Sequence, residues 1–249
     1  MSSRRLAAFL LLGVLMSGGS VHASVIDDFQ VGPTTVTADS SDSNVSDNQT
    51  GLDPTHVLEE QRSVTVQGSM TSGSVEAEVD TSGNGTLIYR SNDPVFDNSY
   101  DGRLLLTYLP GNRFTTYDLP TLVDGDLVGL DVLSADFGNA VSSIEGSLFI
   151  STSSTGSHSV PFTLSASTTP YTLLFSLDDF TDAGLDLSET FNMTFDFGGL
   201  PDFGGLPSET TFTLGHISST AIPEPASLAT MALFGGMLLT RRSRRQRSA

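Results

Sequence analysis

Through most of the interior of the chain, apolar and polar residues alternate at every second position, in short runs divided by Gly, Pro, Asn and Asp. A period of two places successive side chains on opposite faces of an extended chain, and a helix cannot use it. Val64 and Val66 are set among Ser63, Thr65 and Gln67, and Val75, Ala77 and Val79 among Ser74, Glu76 and Glu78. Further runs cover 86–90, 103–108, 127–133, 144–151, 159–164, 171–177, 190–197 and 210–217. Turn residues such as Gly83-Asn84-Gly85, Pro110-Gly111-Asn112 and Asp124-Gly125-Asp126 separate most of them. Between Leu177 and Gly184 there is room for one short helical turn. Many short strands of this kind predict an all-β chain folded as a β-sandwich. The Ser-, Asp- and Asn-rich stretch from Asp39 to Asp53 reads as a long loop, because it offers little apolar surface to bury.

Charge is distributed unevenly along the 249 residues. All eleven basic residues are arginine, and seven lie near the ends, so the segment from Ser24 to Ile222 holds four arginines against 28 acidic residues, a net charge of −24. Such a surface repels phosphate backbones, which argues against nucleic acid as a partner. With no cysteine, the chain has no disulfide framework, thiolate metal site or cysteine nucleophile.

The two ends share a different grammar. Arg4 and Arg5 precede an apolar run from Leu6 to Met16, a Ser-Gly break, and Val21-His22-Ala23. These are the parts of a secretory signal peptide, with cleavage expected after Ala23. At the other end, Pro223-Glu224-Pro225 is followed by a mostly apolar stretch over 226–240 and then by Arg241, Arg242, Arg244, Arg245 and Arg247. As a helix, 226–240 would span roughly 22 Å, short of a hydrocarbon core of about 30 Å. The prolines stop it at one end, and arginines flank both apolar runs on the side that the positive-inside rule assigns to the cytoplasm.

This order of Pro-Glu-Pro, short hydrophobic helix and basic tail closely resembles the PEP-CTERM sorting signal of Gram-negative bacteria. The resemblance implies signal peptidase and an exosortase-type enzyme as processing partners. It also implies transient residence in the inner membrane and delivery to the cell surface or extracellular matrix, often beside exopolysaccharide. The expected organisation is a signal peptide at 1–23, an exported domain at 24–222 and a sorting signal at 223–249, whose apolar part is a transmembrane helix. Val25-Ile26-Asp27-Asp28-Phe29, with Arg62 further on, resembles the opening of many PEP-CTERM ectodomains. The run from Tyr171 to Phe180, then Leu185-Asp186-Leu187 and the strand carrying Phe191, Met193, Phe195 and Phe197, is similar to the late strands of galactose-binding-like jelly rolls.

Catalytic constellations are scarce. Once the signal peptide is removed, His56, His158 and His216 remain, and no Gly-x-Ser-x-Gly elbow accompanies them. Adjacent acids such as Asp178 and Asp179, Glu59 and Glu60, and Asp124 with Asp126 follow from composition, although paired carboxylates are also what glycoside hydrolysis needs. The chain lacks Trp, so a sugar platform would fall to its five tyrosines, which more often pack in cores. Asp93, Asp97 and Asp101 cluster hard oxygen donors in one stretch and form the candidate calcium loop; no other cofactor is expected. The duplicated Phe-Gly-Gly-Leu-Pro at 197–201 and 203–207 reads as an enlarged loop.

The sequence therefore predicts a non-enzymatic exported protein, with no catalytic residues, sorted to the surface or matrix. The alternatives are a jelly-roll module that binds exopolysaccharide and, third, a secreted hydrolase.

Overall fold

The structure is a computed structural model that describes residues 24–39, 44–68, 74–92, 102–109, 116–120, 126–138, 141–198, 206 and 209–220. The strands are β1 (Val25–Asp27), β2 (Thr34–Asp39), β3 (Asn44–Thr50), β4 (Gln61–Gly68), β5 (Ser74–Asp80), β6 (Thr86–Asn92), β7 (Gly102–Tyr108), β8 (Leu127–Asp136), β9 (Ser143–Thr152), β10 (Gly156–Ser165), β11 (Tyr171–Ser176), β12 (Thr190–Phe197) and β13 (Thr211–Thr220). They form two sheets. One runs β11-β8-β13-β6-β5-β2, with β1 also paired to β13, and the other runs β10-β9-β12-β7-β4-β3.

The connectivity follows from one long hairpin rolled on itself. β9 and β10 form its tip, and β8 with β11, β7 with β12 and β6 with β13 pair outward from it. Folding that ribbon so that each antiparallel pair falls alternately on one sheet or the other gives a jelly roll. β5 and β2 extend the first sheet beyond β6, and β4 and β3 extend the second beyond β7.

Alternation fills the space between the layers. Val75, Ala77, Val79, Leu87, Val128, Leu130, Val132 and Leu214 face inward from the first sheet, and Val64, Val66, Leu104, Leu106, Leu148 and Ile150 from the second, all with almost no exposure. An aromatic chain bridges the layers: Phe162 packs edge-on against Phe175 and Phe197, Phe175 against Phe195, and Phe197 lies 5.2 Å from Phe212, which stacks on Tyr89 at 4.9 Å. Offset and edge-on aromatic pairs of this kind add about 0.5–1.5 kcal/mol each beyond their buried area.

The sandwich and its strands agree with the sequence expectation, as does the short turn, a helix over Asp178–Asp182. The reading of Asp39 to Asp53 as a loop is corrected, because Asn44–Thr50 is an edge strand in continuous antiparallel register with β4. Its outward side chains are polar and its inward ones, Val45, Asp47 and Gln49, are only half-buried, since an edge strand at the rim buries little. Residues 1–23, including Ala23, lie outside the described residues, as do Asp93, Asp97 and Asp101 and the whole of 221–249 with its Pro223, Glu224, Pro225, Arg241, Arg242, Arg244 and Arg245. Among the described residues, no helix is long and apolar enough to cross a membrane.

Candidate functional site

The pleat that sends Leu104, Leu106, Leu148, Phe195 and Phe197 into the core sends their neighbours to the outer face of the second sheet. There the register sets Ser159, Phe149, Thr194 and Thr107 in one row across β10, β9, β12 and β7. Ser147, Asp196 and Leu105 occupy the adjoining row. Together with Asn192 and Arg103 these side chains line a groove of about 460 Å³. Thr194, Asp196 and Ser147 face away from the core and are nevertheless buried, so they form the floor of a concave surface.

The floor is largely tied to itself. Thr107 and Thr194 share a hydroxyl hydrogen bond of 3.0 Å, and Ser151 donates to Asn192 Oδ1 at 3.1 Å. Arg103 meets Asp196 as a fork, Nε to Oδ1 at 2.9 Å and Nη2 to Oδ2 at 2.5 Å, and leans on Gln67 Oε1 at 3.4 Å. The Asp196 carboxylate holds the Arg103 guanidinium above its ordinary value. The lining thus combines hydroxyls, one amide, one aromatic ring and one internally neutralised ion pair.

A second polar cluster lies inside the sandwich, at its N-terminal corner. The β3–β4 and β4–β7 registers put Gln49, Arg62 and Tyr108 in one row. Arg62 is fully buried; its Nη1 grips Asp27 at 2.8 and 2.9 Å, and its Nε and Nη2 reach Gln49 Oε1 at 3.0 and 2.7 Å. Nη2 also donates to the carbonyls of Val31 and Gly32, while the Phe29 ring lies 5.4 Å from the guanidinium carbon. Asp27 accepts further from Tyr108 Oη at 2.8 Å and from the Phe29 backbone N–H. Burial pushes the Asp27 carboxyl up from its ordinary value, against the opposing pull of Arg62. Next to it, His56 Nδ1 meets Asp28 Oδ2 at 2.6 Å, and this hydrogen bond raises the imidazole above its ordinary value of 6.5. Every nitrogen of the guanidinium is bonded within the protein, leaving no donor for a ligand. The cluster is an architectural lock that fastens β1 and the segment after it to β3, β4 and β7.

The remaining sequence candidates are dispersed. Asp178 and Asp179 are exposed at the start of the short helix, and Glu59 and Glu60 sit in a tight turn with positive φ. His158 packs edge-on against Phe180, and exposed His216 reaches the Asn84 carbonyl. Tyr89, Tyr108 and Tyr117 are buried in the core, so the groove's ring comes from Phe149, which the sequence reading passed over. Its signal was present as Phe149 alternating with the apolar Leu148 and Ile150, a large ring on the polar face of a strand. Among the described residues, no three His, Cys, Asp or Glu side chains converge as a metal site.

No family model matches the chain, and no curated protein matches it. Among solved structures, a family 11 carbohydrate-binding module from Clostridium thermocellum, in complex with a β-1,3-1,4-mixed-linked tetrasaccharide, is similar with a TM-score of 0.41 and 11% identity over 83% of this chain and 100% of that one. An exo-β-agarase is similar with a TM-score of 0.38 and 10% identity over 60% of this chain and 22% of that one. The family 11 xylanase from Neocallimastix patriciarum gives a TM-score of 0.33 and 9% identity over 76% of this chain and 97% of that one. At these scores the similarities bear on neither ligand nor activity.

Proposed function

We propose that this is an exported, non-catalytic surface or matrix protein whose jelly roll binds polysaccharide in the groove on the outer face of β10, β9, β12 and β7. The observation that carries the reading is the groove itself. It is a concave surface whose hydroxyl and amide side chains match a polyol's donors and acceptors, and Phe149 gives the apolar face of a sugar ring something to rest on. The motifs at the two ends support export and sorting.

Binding is favoured over hydrolysis by the lining. Glycoside hydrolysis generally uses a pair of carboxyl groups flanking the bond to be cut. Among the described residues that line the groove, Asp196 is the sole carboxylate, and it is engaged by Arg103.

Affinity electrophoresis of the exported protein against a panel of polysaccharides tests the reading. Retardation by at least one glycan is expected, together with a loss of about tenfold in affinity for Phe149→Ala, a typical cost for one stacking contact. Retardation by none, or an unchanged Phe149→Ala, would remove the groove as the site.

A further inference from the structure

Asp196 stands out within the groove because its position serves neither core nor turn. It projects from β12 between Phe195 and Phe197, both of which are packed inside, and its side chain is 12% exposed on the groove floor. Its partner Arg103 is 36% exposed and is the one cation among the described residues that line the groove. An arginine so placed on a saccharide-binding surface would, if bare, present its planar fork to the carboxylate or sulfate of an acidic glycan. Asp196 already occupies that fork with both of its oxygens.

We infer that Asp196 is a specificity-determining residue, which holds Arg103 neutralised and thereby restricts the groove to uncharged glycans. The inference rests on the saccharide reading of the groove. Rejection arises in two ways. An anionic sugar would have to displace the carboxylate from a bidentate pair that the protein supplies without translational cost, and the displaced carboxylate would remain on the floor as a like charge. The net charge of −24 carried by 24–222 adds a long-range repulsion of the same sign. A neutral polyol meets neither obstacle and finds hydroxyl and amide partners in Thr107, Thr194, Ser147 and Asn192.

The test compares the exported protein with Asp196→Asn, Arg103→Gln and the double variant. Affinity electrophoresis uses laminarin, dextran and agarose as neutral probes and alginate and polygalacturonate as acidic ones, with thermal melting to verify that each variant is folded. The wild type is expected to bind a neutral probe and to ignore both acidic ones. Asp196→Asn, which frees Arg103, is expected to gain affinity for an acidic probe by about tenfold or more at low salt, and to lose the gain as salt screens it. The double variant is expected to lose that gain. Should Asp196→Asn be unfolded, Asp196→Ser replaces it with the same expected gain. Wild-type binding to alginate or polygalacturonate as tight as to a neutral probe overturns the inference, and so does a folded Asp196 variant that gains no acidic ligand. Both of those results leave the saccharide reading standing. A wild type that binds no probe at all overturns that reading and the inference together.

Discussion

Arg62 shows how much a single side chain can organise. It occupies an inward position of β4 where alternation calls for an apolar residue, and six hydrogen bonds to Asp27, Val31, Gly32 and Gln49 compensate its removal from water. Arg62→Met is expected to cost about 3–5 kcal/mol, because it leaves the Asp27 carboxylate buried without its counter-charge. Adding Asp27→Asn to Arg62→Met should recover part of that loss, so urea unfolding would give a double-variant cost clearly below the sum of the singles. A loss below about 1 kcal/mol for Arg62→Met would mean that the pair is not the lock described above. Asp27 and Arg62 were visible in the sequence only through a resemblance. Nothing in their spacing announced that residues 35 positions apart would meet in the core.

Strands gave themselves away in proportion to how unequal their two faces are. β5, with Val75, Ala77 and Val79 inside and Glu76 and Glu78 paired to Arg90 outside, was plain from its alternation. β3 was not, because at the rim its inward positions are Val45, Asp47 and Gln49, half-buried, and the work of Gln49 depends on an arginine 13 residues on. The groove was hidden for a related reason. Alternation tells which residues leave the core, whereas the cross-strand register that gathers Phe149, Thr194 and Asp196 is a property of the sheet. The β5–β6 turn carries an element-scale prediction. Gly85 has φ +70°, and a Cβ there would come within 2.2 Å of the Asp28 carbonyl oxygen, whereas Gly83, at φ +64°, has open space around it. Gly83→Ala should cost about 1–2 kcal/mol for its left-handed backbone, and Gly85→Ala distinctly more because backbone must move to admit the methyl group. Equal urea midpoints for the two variants would show that the turn does not bear on the 28–30 segment.

At the scale of the whole molecule, the expected life history has three stages: passage through the membrane, folding outside it, and release from an anchor. Intact-mass measurement of the protein from medium, surface and inner-membrane fractions tests this sequence of events. The expected species begins at Ser24, ends near Pro223 and is found outside the inner membrane; one that retains 241–249 in the inner membrane would replace sorting with permanent anchorage. The jelly roll bears on the same question through its first and last strands. β1 pairs with β13, Ser24 N–H reaches Ser219 Oγ, and Ser219 N–H donates to the Ser24 carbonyl at 2.9 Å. Entry and exit of the domain are therefore adjacent in the first sheet, while the groove occupies the second. A domain wired in this way is a cassette: it can be spliced into a loop of a host protein, or cut open elsewhere and rejoined through its old ends, with the sheet that bears the groove left as it was.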